Sequence, residues 1–166
     1  SLVQNCHESG SVLVVAPDEK DVDLIIQALS VCHLKTLKLT AAMPREERYR
    51  NYLTAMHGDR SIVVGTRSAI FAPINDLRTI IVHKESSFDH YEVRSPGWNT
   101  RTVGLIRSSS EAINLILTGF SPSVEVSRLI DDRKIKYLNS KESVSVKAFS
   151  PSDGALLPGR IFSEIK

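Results

Sequence analysis

Four short apolar runs punctuate the chain, at residues 12–16 (VLVVA), 62–64 (IVV), 79–82 (TIIV) and 113–117 (INLIL). They are rich in β-branched residues and bounded by turn residues, the pattern of strands buried on both faces. A fifth run at 34–39 (LKTLKL) is more polar, which places it nearer a sheet edge. Between these runs the period changes. Val22, Ile25, Ile26 and Leu29 recur at helical spacing, so 21–29 is a helix packing back on the sheet. Pro44 suits a first helical turn and Glu46 and Glu47 suit its dipole, so a second helix runs to residue 57, with Gly58 as its stop. Asn99 or Thr100 caps a third through 107, and 124–130 form a short fourth. Residues 1–10 are the polar end of a further helix. Residues 88–98 are polar and irregular. Beyond Asp132 the pattern shifts: 134–138 and 144–149 alternate like strands with one wet face. Strand alternating with helix predicts an α/β fold, a mostly parallel sheet with helices on both faces.

Composition changes this picture little. The 166 residues are 42% hydrophobic and 24% charged, enough for one domain with a sizeable core. Net charge is +2, too small to argue for or against nucleic acid, since clustering of basic residues decides that. Two separated cysteines, Cys6 and Cys32, make neither a disulfide scaffold nor a metal cluster, and fit reduced thiols of a cytoplasmic protein. No apolar run approaches the ~20 residues that span a bilayer. Residues 1–10 lack the charged-then-apolar start of a secretory leader.

Ligands of open α/β sheets bind just beyond the carboxyl ends of the strands. Two tetrads stand there: Gly65, Thr66, Arg67 and Ser68 after one run, and His83, Lys84, Glu85 and Ser86 after another. A glycine at a strand end admits a phosphate close to the backbone, Thr66 adds a hydroxyl, and Arg67 adds a guanidinium. Gly65 making a turn, Arg67 pairing with an acid and Ser68 capping a turn are the plain alternatives. Arg45, Arg48 and Arg50, interleaved with Glu46 and Glu47, read first as a solvated helix face. His83, Glu85 and His90 invite a metal reading, but Lys84 among them argues against it. The plainer reading pairs Lys84 with Glu85 or Asp89. Tyr91 and Trp98 pack their loop onto the domain or stack on bases.

The order of motifs resembles the first RecA-like lobe of the PriA replication-restart helicases (primosomal protein N′). IVVGTRSAIFAP followed by DLRTIIV resembles that family's GTRSA motif and the strand leading to its Walker B box. VLVVAP, LTAAMPREERYRNYL and LILTGFSP fall in the family's order over residues 11–130. The resemblance implies a RecA-like lobe at 1–132, with 133–166 completing it or connecting to the next lobe.

The departures matter more. The family's Asp-Glu-x-His box binds Mg²⁺ and polarises water. Here His83 and Lys84 stand at the two acidic positions, with Glu85 and Ser86 behind them. A charged lysine neither ligates Mg²⁺ nor accepts a proton. Gly119-Phe120-Ser121 replaces the family's Ser-Ala-Thr turn, and no GxxxxGK[ST] loop occurs in these residues. This pattern is similar to PriA-like proteins of actinobacteria. It implies a DNA-binding, helicase-like domain of a replication-restart protein without ATPase activity and without catalytic residues, cofactor or metal. Its partners would be stalled forks or single-stranded DNA, bound without sequence preference, and other primosome or replication proteins, with no membrane. The alternative is an ATP- and Mg²⁺-dependent 3′–5′ DNA helicase whose phosphate loop lies upstream of Ser1.

Overall fold

The computed structural model describes residues 2–138. Five strands form one sheet: β1 (Ser11–Val15), β2 (Thr36–Leu39), β3 (Ile62–Gly65), β4 (Leu77–Val82) and, after a separate hairpin, β7 (Asn114–Leu117). Their order is β2-β3-β1-β4-β7, and every pairing is parallel. The α/β expectation is met, including β2 at an edge, but the 113–117 run, expected to be buried on both faces, forms the opposite edge: β7 has one neighbour, β4, and its residues are exposed or half-buried.

Alternate side chains of the same strands enter two cores, which is why the runs are apolar throughout. Val12, Val14, Ile62, Val64 and Ile81 pack with Val22 and Leu29 of α2 (Glu19–Val31). Val3 and Cys6 of α1 (Leu2–His7) lie against that same core. Leu13, Val15, Val63, Ile80 and Val82 face the other way. There they meet Ala55 of α3 (Arg45–His57) and Val103 of α4 (Thr100–Glu111). Helices therefore cover both faces. Asp18, Asn99 and Ser123 cap α2, α4 and α5 (Val124–Asp131), each accepting a backbone N–H.

Two expectations change. Residues 88–98 are not wholly irregular. A 3₁₀ turn at Phe88–His90 leads into a two-stranded antiparallel hairpin, β5 (Tyr91–Glu92) with β6 (Trp98–Asn99). Only two residues pair on each side, too few for sequence alternation to register. Residues 134–138 form no strand; they follow α5 as bends and open chain. The expected strand at 144–149 lies outside the described residues, as does nearly all of the 133–166 segment.

Candidate nucleic-acid interface

β1 lies between β3 and β4, so the two tetrads flank it at the carboxyl edge of the sheet. Strand spacing sets them about 10 Å apart. Backbone bonds continue past the strands: Ala16 N–H donates to the Gly65 carbonyl (2.9 Å), and His83 N–H to the Val15 carbonyl (2.8 Å).

The β4 side is closed by its own partners. Lys84 adopts φ 51°, in the left-handed region that a bulky residue seldom occupies. Its ammonium donates to both carboxylate oxygens of Asp21, at 2.7 and 2.9 Å. Asp21 is buried in the first turn of α2, where a carboxylate also meets the helix dipole. The pairing expected with Glu85 or Asp89 is thus corrected: the left-handed turn sends Lys84 towards α2, and Glu85 turns inward. Glu85 is 3% exposed. One of its oxygens accepts from Arg101 Nη1 (2.9 Å) and Ser123 Oγ (3.0 Å), and the other from Ser123 N–H (2.7 Å). Arg101, itself buried, reaches Glu125 as well, at 3.3 Å. Ser86 is exposed.

Burial disfavours the charged form of both histidines here. His90 is fully buried, and its Nε2–H donates to the His83 carbonyl at 2.8 Å, leaving Nδ1 without a partner among the described residues. Burial, the largest influence, pushes the His90 imidazole below its ordinary 6.5, against the raising effect of that hydrogen bond. Burial likewise lowers His83, whose Nδ1 lies 3.3 Å from Thr118 Oγ1. Among the described residues, no three His, Cys, Asp or Glu side chains converge as metal ligands would.

The β3 side divides by residue. Gly65 is buried, and a Cβ there would run into the Leu39 carbonyl oxygen and sit 2.6 Å from the Ala69 Cβ. Close packing of β2 against the turn is therefore enough to require glycine. Thr66 is half-buried and opens a 3₁₀ turn at Arg67–Phe71 without capping it by its side chain. Arg67 Nη2 donates to Glu92 (2.9 Å) and Nη1 to the Asp89 carbonyl (3.3 Å), tying the turn to the hairpin. Ser68 is exposed.

Ser68 borders an open cleft of about 630 Å³ between α3 and the 3₁₀ turn. Arg45, Arg48, Tyr49 and Tyr52 form one side, and Phe71 the other. Phe71 also meets Trp98 edge-on, with ring centroids 4.8 Å apart, so Trp98 packs onto the domain. The arginines first read as one solvated face separate here. Arg50 pairs with Glu46 across one helical turn, whereas Arg45 and Arg48 border the cleft. Sequence reasoning overlooked Tyr49 and Tyr52. The stripe 45, 48, 49, 52, 55 at helical spacing carries the signal. It also overlooked Asp21 and Arg101, whose pairing with Lys84 and Glu85 spans 63 and 16 residues.

No protein-family model matches the chain. PriA of Mycobacterium tuberculosis, named as a replication restart protein, is 30% identical over 129 residues, which is 76% of this chain and 20% of that protein. PriA of Helicobacter pylori is 26% identical over 148 residues, 89% of this chain and 24% of that protein. The resemblance to PriA is borne out. Synechocystis PriA agrees, at 36% identity over 111 residues, covering 63% of this chain and 13% of its own length. The chain spans about a fifth of the length of the PriA relatives it matches. In shape it is similar to the C-terminal part of the Fun30 ATPase domain, with TM-score 0.49 and 13% identity over 80% of this chain and 49% of that one. Among the described residues no helix is long and apolar enough to cross a membrane.

Proposed function

We propose that this chain is a DNA-binding, helicase-like module of a replication-restart protein, and that the His83–Ser86 site does not drive ATP hydrolysis. The observation that carries this reading is the internal neutralisation of the β4 side. A Mg²⁺–triphosphate site needs free carboxylates. Lys84 brings a cation neutralised by Asp21, and both oxygens of Glu85 are taken by Arg101 and Ser123. These residues do not fit a metal–nucleotide box. What supports DNA binding is the resemblance to PriA together with the donors on the β3 side. Arg67 is 38% exposed by side chain and paired with an acid at the surface. Such pairs are weak enough to exchange for a phosphate, and sequence-blind binding rests on phosphate contacts. In the whole protein, the module would dock on forked or single-stranded DNA while partner proteins supply motor activity. A cytoplasmic location fits this reading, with Cys6 and Cys32 free of disulfides.

The test has two arms. Arg67→Ala should weaken binding of a labelled oligo-dT strand several-fold at about 50 mM salt, and less at about 200 mM. Unchanged affinity removes Arg67 from the interface. ATP turnover by the full-length protein should not rise with DNA. DNA-stimulated turnover that Lys84→Ala abolishes would overturn the reading and favour the ATP-dependent helicase.

A further inference from the structure

Beside the Gly65–Ser68 turn, the α3 cleft combines features that its packing role does not require. Three aromatic rings stand at its walls with large exposed faces: Tyr49 is 64% exposed, Phe71 56% and Tyr52 38%. Arg45 and Arg48 form no ion pair among the described residues. The acids of the same helix do not neutralise them. Glu46 is taken by Arg50, and Glu47 lines a separate, smaller hollow beyond Thr40. Thr40, 1% exposed, lies between the two hollows.

We infer that this cleft seats an unstacked base of single-stranded nucleic acid and its adjoining phosphate. The base would stack on Tyr49 and Phe71, and the phosphate would lie between Arg45 and Arg48. Exposed aromatics beside unpaired cations are how sequence-tolerant sites hold single strands, because every base has a π-face and every nucleotide a charge. The volume suits one nucleotide, falling within the usual range for small-ligand sites. A duplex keeps its bases stacked and offers the cleft only phosphates. The inference deepens the DNA-binding reading above and rests on it.

Fluorescence anisotropy of the full chain with oligo-dT, an abasic strand of equal length and a duplex separates the two. Tyr49→Ala should lower oligo-dT affinity about tenfold, leave the abasic strand and duplex unaffected, and be rescued by Tyr49→Phe. Arg48→Ala should weaken all three and reduce the single-strand salt slope by about 0.7. Oligo-dT affinity lowered by Arg67→Ala but indifferent to Tyr49→Ala would overturn the cleft and leave the DNA-binding reading standing. Equal losses on oligo-dT and abasic strand would overturn base stacking. No binding by the parent chain would overturn both.

Discussion

The two sides of β1 put similar residue types to opposite uses. On the β4 side, Lys84 with Asp21 and Glu85 with Arg101 are charges paired within the fold, the second pair joined by Ser123 and Glu125. On the β3 side, Arg45 and Arg48 meet solvent beside three aromatic faces. A charge whose partner is fixed within the fold is structure. A charge left open beside an unstacked ring is a place for a ligand. Residue type at a strand end therefore says less than where the opposite charge comes from.

That contrast breaks most decisively at Glu85. Removing its carboxylate leaves buried Arg101 with the exposed Glu125 as its remaining acid and the Ser123 amide without its acceptor. Glu85→Ala should cost about 3–5 kcal/mol, the usual penalty for halving a buried ion pair. Urea unfolding reads it, and oligo-dT affinity of the protein that remains folded should be unchanged. A loss below about 1 kcal/mol would mean that the network is not closed as described. Tyr49→Ala, on the open side, should do the reverse: lose DNA affinity while stability shifts by no more than about 0.5 kcal/mol, as at other exposed sites.

The histidines sharpen the comparison by pH. Burial lowers both His83 and His90 below the ordinary 6.5. Well above 6.5 both are neutral in folded and unfolded chains, and the fold carries no penalty. As pH falls through 6.5, the unfolded chain takes up protons that the folded chain refuses. Stability drops until the folded values are passed, by at most about 1.4 kcal/mol per pH unit for each histidine. The urea midpoint should therefore fall between about pH 7 and about pH 5.5, and less so in His90→Gln. The lowered carboxylates, such as Glu111, act in a lower range, below their ordinary 4.5. A flat midpoint through this window would contradict neutral burial of His90.

Much of the fold was legible because the local rules agree. The β-branched runs at 12–16, 62–64 and 79–82 gave the inner strands and polar LKTLKL gave one edge, while the apolar run at 113–117 concealed the other; Asn99 and Gly58 marked helix ends where the structure has them. The site was legible in position but not in pairing. Lys84 and Glu85 could be found from the strand end, whereas their partners could not. Asp21 lies 63 residues away on another strand's helix, and only the sheet order brings it to Lys84. Gly65 shows the same limit. A glycine suited to phosphate and one required by Leu39 look identical in sequence. The hairpin at 91–99 escaped because two-residue strands leave no period to read.

Hydrogen exchange of the full chain with and without oligo-dT tests the division of the sheet edge most directly. The account predicts slowed exchange at 45–52 and 66–71, with the amides of 83–86 unaltered. Protection confined to 83–86, with α3 and the 3₁₀ turn unaffected, would contradict it.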